Sequence, residues 1–130
     1  MAFKIHSTDD NRVLGIEYHP ASEITPKVGL ALTVTNGELT IATGTTKPTY
    51  ISLCEKDSAC TAGEIIPVIR VDSDCVFETL FSASASSVKI GDKVTIAADG
   101  LRVTGTTTGG VAEVVHIKGT SSGSAVRVRF

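Results

Sequence analysis

Between residues 28 and 43 the chain alternates. Val28, Leu30, Leu32 and Val34 are apolar and small or polar residues stand between them; Asn36-Gly37 follows, and Leu39 and Ile41 resume the pattern. A period of two marks a strand with one buried face, and Asn-Gly supplies the two positive-φ positions of a type I′ turn. The pattern predicts a hairpin with Val34 opposite Leu39 and Leu32 opposite Ile41. A slip of one residue would turn its apolar face to solvent. Further along, Gly91-Asp92 leads into residues 93–97, and Asp99-Gly100 predicts a second hairpin that pairs Ile96 with Val103. Residues 111–118 hold two consecutive valines, as in a strand covered on both faces. The sequence finishes on Val126, Val128 and Phe130, interleaved with Arg127 and Arg129.

Shorter apolar runs fill the middle. Residues 50–54 alternate, and residues 75–81 (CVFETLF) read as a strand after the Asp72-Ser73-Asp74 turn. Residues 64–71 (EIIPVIRV) are β-branched but carry Pro67. Proline has no N–H to give a ladder, so this strand is expected at an edge, or bulged or kinked at Pro67. Residues 82–87 (SASASS) read as a connector. No segment carries an apolar stripe at helical spacing. About eight short strands separated by turns imply an all-β domain over residues 28–130, a small barrel or a sandwich. In residues 1–27 the apolar positions (Phe3, Ile5, Val13, Leu14, Ile16, Tyr18) follow neither period. An extended, irregular N-terminal arm or an edge segment draped on the domain is expected there, or an arm ordering on a partner surface.

Composition agrees with a single small β-domain. One core is all that 130 residues hold, and Thr, Val and Gly dominate where tryptophan is absent. The net charge of −2 leaves no basic footprint for nucleic acid. No apolar run approaches a membrane span, and the first residues carry no signal-peptide core. Three cysteines without a CxxC spacing suit a reducing compartment better than a disulfide framework. Synthesis in a cytoplasm is the expectation.

Catalytic or ligand chemistry finds no support in the spacing. Cys54, Cys60, Cys75 and His116 match no zinc pattern, so no metal and no cofactor are expected. There is no GxSxG elbow. His6 and His19 fall in the irregular N-terminal stretch, and His116 falls mid-strand. Asp9-Asp10 and Asp72-Ser73-Asp74 read as turn residues. The Gly-rich stretches 105–110 and 119–123 lack the lysine and helix of a phosphate loop and read as hairpin loops. No catalytic residue is assigned, and the chain is expected not to be an enzyme.

The order of the segments carries a resemblance. VGLALTVTNGELTIAT, KPTYISL, GEIIPVIRVDSDCVFET, VKIGDKVTIAADGLRVT and GTSSGSAVRVRF follow one another over residues 28–130. This order, with GDKVTI and the terminal VRVRF as its most telling pieces, resembles the head-decoration proteins of tailed bacteriophages, of the capsid-stabilising β-barrel or β-tulip group. The resemblance implies a non-enzymatic protein on the capsid exterior of a virion, made in the host cytoplasm. It implies binding to the major capsid protein, commonly as a homotrimer at threefold or quasi-threefold positions. In such proteins an N-terminal arm often lies along the capsid or adds a strand to it. Phe3, Ile5, Ile16 and Tyr18 are then the expected capsid-binding anchors. Two other readings stay open: another virion β-module, such as a head-fibre base or tail component, and a small ligand-binding barrel.

Overall fold

A computed structural model describes residues 2–8 and 14–130. Those residues form ten strands and no helix: β1 (Lys4–Thr8), β2 (Ile16–Ala21), β3 (Ala31–Thr35), β4 (Glu38–Ile41), β5 (Tyr50–Ser52), β6 (Glu64–Arg70), β7 (Cys75–Leu80), β8 (Lys93–Val94), β9 (Ala112–Ile117) and β10 (Ala125–Arg129). They make two groups of five. One is a sheet in the order β1-β7-β10-β9-β8; in the other the pairings run β2-β4-β3-β5-β6 and return to β2. That ring is closed by one parallel residue pair, Ala21 with Leu39. Ser22 reinforces the closure by donating from both its N–H (3.0 Å) and its Oγ (2.7 Å) to the Leu39 carbonyl. Over residues 16–19, β2 pairs with β6 alone among the described strands.

The turn chemistry accounts for both expected hairpins. Asn36 and Gly37 take φ of 51° and 81°, and β3 and β4 pair in the expected register, Val34 with Leu39 and Leu32 with Ile41. Asn tolerates the left-handed region because its side chain is short and polar. At the second hairpin Gly100 turns at φ 70°. Ile96 and Val103 face each other there, and the Ala97 N–H donates to the Arg102 carbonyl at 2.8 Å.

Two apolar clusters follow from the alternation. Leu30, Leu32, Leu39, Tyr50, Ile66 and Val68 fill the interior of the ring. The larger cluster is a seam between the outer face of the ring and the inner face of the first sheet. The ring contributes Ala31, Ile51 and Ile69, and the sheet Phe77, Val114, Val126 and Val128. Phe130 packs on Phe77 (5.7 Å between ring centroids) and on Phe3 (5.3 Å). Successive residues of β6 serve different clusters, since side chains alternate across a strand: Val68 faces the ring interior and Ile69 the seam.

The structure corrects three expectations. Where it is described, the segment 1–27 is not an irregular arm, although β1 does lie at a sheet edge as an edge segment would. β1 pairs with β7, and β2 pairs with β6 over six residues, which brings the strand number to ten. β6 is not an edge, since β2 and β5 flank it, and no bulge interrupts its pairing with β2 at Pro67. The proline is tolerated because its backbone polar side faces β5, and β5 ends at Ser52, paired with Val68. There the Pro67 carbonyl accepts from the Leu53 N–H at 3.0 Å, and no further ladder donor is required of the proline. The consecutive valines also have a cause other than two covered faces. β9 is bulged against β10, with His116 opposite Arg127 and Val114 opposite Val128, so Val115 is the inserted residue and is half-buried. Residues 82–87 connect β7 to β8 as expected, and buried Ala85 and neighbouring Val88 anchor the connection in the seam.

Phe77 is fully buried at the centre of the seam. Phe77→Ala should therefore lower the unfolding free energy by about 3–5 kcal/mol, read as a lower urea midpoint with an unchanged slope.

Candidate interaction surface

The first sheet covers only part of the ring's outer face. On β6 that face carries Ile65, Pro67 and Ile69; Ile69 lies in the seam, whereas Ile65 is 58% exposed. The facing positions on β2 are Pro20, Tyr18 and Ile16. Tyr18 is 65% and Ile16 57% exposed. β2 thus alternates with its apolar residues outward, the reverse of an ordinary half-buried strand. Neighbouring exposed apolar side chains of this size are informative in a way that a single one is not.

A groove runs beside this strip. It measures 570 Å³ and lies between β1, which is the edge of its sheet, and the start of β2; its apolar lining is Ile5, Leu14, Ile16, Leu53 and Ile69. Ile5 is 48% exposed. A strand edge offers unpaired N–H and C=O groups, so an apolar groove along such an edge suits an extended segment better than a compact ligand.

Of the four expected anchors, Ile5, Ile16 and Tyr18 are therefore on the surface and close to one groove and strip. Phe3 is not available to a partner. It is 2% exposed, in edge contact with Phe130, and its N–H donates to the Gly29 carbonyl at 3.0 Å. Gly29 has φ +86°, and a Cβ there would stand 2.4 Å from the Ala2 Cβ. The crossing of the two backbones needs glycine, and it presses Phe3 into the seam. Ile65 was missed because both faces of the EIIPVIRV run are apolar, so the sequence does not single out its outward positions.

On the other face of β2 a polar cluster ties three strands together. Arg70 donates from Nε to Glu17 Oε2 at 3.0 Å, and from Nη2 to Glu17 Oε1 at 3.2 Å and to the Tyr50 hydroxyl at 2.8 Å. His19 Nε2 lies 2.9 Å from Glu17 Oε1, and its ring is 4.7 Å from that of Tyr50. The Arg70 hydrogen bond, followed by that of His19, holds the Glu17 carboxyl below the usual glutamate value. Lys56 does the same for Glu64, and Lys118 with Arg127 for Glu78. The cluster acts as a clamp between β2, β6 and β5, the strands beside the open part of the ring.

Apart from His6, which lines the groove, the remaining candidates lie away from this surface. Cys60 and Cys75 are buried, Cys54 is half-buried, and no disulfide joins them. Burial pushes the Cys60 thiol up, away from the reactive thiolate. Among the described residues no group of three or more His, Cys, Asp or Glu is placed to hold a metal ion. His116 is exposed on β9, and His6 bonds its neighbour Ser7 on β1. Asp9, Asp10 and Val13 lie outside the described residues. Compared with known proteins, the chain matches no family model and no curated protein. Fold and surface chemistry therefore carry the functional argument.

Two outcomes test this geometry. Phe3→Ala should cost about 3–5 kcal/mol of stability, whereas Tyr18→Ser should change it by less than about 0.5 kcal/mol; similar losses at both positions would remove the distinction between core and surface. Acidification is the second test. Glu17, Glu64 and Glu78 are held low in the folded state, so the folded chain binds fewer protons than the unfolded one. Their stabilisation is complete above the ordinary glutamate value, about 4.3, and is lost as pH falls through the lowered values. Thermal melts should show the midpoint falling below about pH 4, and a Glu17→Gln, Glu64→Gln, Glu78→Gln variant should show a shallower fall.

Proposed function

We propose that this chain is a structural protein of a tailed-phage virion, which adds to the outside of the assembled head and stabilises the shell, as a trimer at threefold or quasi-threefold positions. The observation that carries the reading is the uncovered apolar strip of Ile16, Tyr18 and Ile65 beside the Ile5 groove on a small all-β scaffold. It is joined by the order of segments that resembles the head-decoration proteins. In this reading the chain is not an enzyme, and its partner is the major capsid protein.

The contact chemistry is that of strand edge and apolar strip. An extended segment of a capsid subunit seats along β1 and the groove, and Ile16, Tyr18 and Ile65 cover an adjoining subunit. A protein that binds the expanded shell across subunit seams, and the unexpanded one poorly, stabilises the expanded state by mass action. Three copies of one modest contact, linked in a trimer, give avidity without a single strong site.

The test is co-sedimentation of purified chain with matched expanded capsids that lack it. The wild type should pellet with the shells. Ile16→Asp with Tyr18→Asp should weaken binding by tenfold or more, as for a buried apolar anchor worth about 2 kcal/mol, and leave the melting temperature unchanged. Folded wild type that ignores every matched shell would end the proposal. Density on the tail in place of the head lattice would turn it to another virion β-module.

A further inference from the structure

The chain carries a net charge of −2, but its charges are not evenly spread. Across the outer face of the first sheet, Lys4, Glu78 and Arg127 stand in one cross-strand row, and Lys93, Glu113 and Arg129 in another. Lys118 joins the first row, reaching Glu78 Oε1 at 3.1 Å. This face thus gathers five of the chain's twelve Lys and Arg residues but only two of its fourteen Asp and Glu residues. Both glutamates are engaged: Glu78 accepts from Lys118 and from Arg127 (3.2 Å), and Glu113 from Arg129 (3.2 Å).

At the β8 end of this face is a pocket of 540 Å³, into which Lys93, Arg129 and Glu113 open together with Ser73, Asp74 and, from the β4–β5 connection, Lys47. Lys47 and Lys93 come from separate parts of the chain and form no ion pair with any described residue. Asp74 is engaged in contacts of its own, and Arg129 shares the charge of Glu113. The lining thus carries three cations, Lys47, Lys93 and Arg129, against the two carboxylates of Asp74 and Glu113, and Lys47 and Lys93 are the cations with no ion pair to a described residue. The backbone under Lys93 is fixed: a Cβ at Gly110 would stand 1.9 Å from the Lys93 carbonyl oxygen, and the Val111 N–H donates to the Val94 carbonyl at 3.0 Å.

We propose that this pocket binds a tetrahedral oxyanion, the phosphate or sulfate ester group of a sugar. Two lysines and the Ser73 hydroxyl supply point charges and a donor suited to tetrahedral oxygens. The volume lies within the range of small-molecule sites, about 300–1,000 Å³, and leaves room for the sugar that carries the anion. Because both ammonium groups are also open to water, their attraction is screened and binding is weak. Nucleic acid is disfavoured, since the pocket offers Phe130 alone as an aromatic surface, where strand binding uses successive stacking platforms. This site is separate from the apolar strip and does not depend on the capsid reading.

Amide chemical shifts followed by NMR test it, with sodium phosphate and glucose 6-phosphate titrated at fixed ionic strength against sodium chloride. Saturable shifts confined to Ser73, Lys93, Gly110 and Val111 are expected, and Lys47→Gln with Lys93→Gln should weaken them at least tenfold without lowering the melting temperature. Saturation by glucose 6-phosphate at lower concentration than by phosphate would support a sugar-borne ester; equal affinities would support the free anion as ligand and overturn the sugar. Shifts that are linear in concentration and matched by chloride mean an adventitious ion only and overturn the site. Dextran sulfate that binds equally to wild type and the double variant, with no response to either phosphate, would also overturn it, since the whole face would then act as diffuse charge.

Discussion

The molecule depends on the seam in which the first sheet covers the outer face of the ring. A five-stranded ring closed by one residue pair encloses little, and part of its outer face is apolar. Ala31, Ile51 and Ile69 need a cover. The inner face of the first sheet supplies it, with Phe77, Val126 and Val128 opposite them. Both ends of the described chain meet here, Phe3 against Phe130 and Phe130 against Phe77. The packing of three aromatic rings thus fastens the start of β1 to the end of β10, across β7 between them.

The same constraint explains where the surface is available. The sheet stops short of Ile65 and Tyr18, and the ring's outer pattern continues uncovered beyond the seam. Polar residues on the reverse face of β2 complete the arrangement. Glu17 and His19 are turned toward Arg70 and Tyr50, so the strand is held in place by a hydrogen-bonded clamp while its apolar residues face out. An exposed apolar strip on a strand anchored in this way is a rigid presentation, with little ordering entropy to be lost on binding.

Local rules made much of this fold legible. The Asn36-Gly37 turn determined the β3–β4 register because the turn leaves only one pairing that buries Leu32 and Leu39 together. Asp99-Gly100 likewise brought Ile96 opposite Val103. The first 27 residues were opaque because their apolar positions serve three destinations: Phe3 enters the seam, Ala21 the ring interior, and Ile16 and Tyr18 the solvent. No single period describes such a segment. Pro67 misled for a different reason. The rule about proline in strands concerns the local ladder, and whether the neighbouring strand has already ended is a tertiary fact. The charged face of the first sheet was hidden too, since Lys4, Glu78 and Arg127 are far apart in sequence and meet only through strand pairing.

The uncovered strip on β2 and β6 is the proposed working surface. The most direct measurement is a cryo-electron microscopy reconstruction of expanded capsids saturated with the purified chain. Ile16, Tyr18 and Ile65 should lie in contact with shell density, with the charged outer face of the first sheet turned away from it. Bound density in which that strip faces solvent, or shells that remain bare at saturating protein, would contradict it.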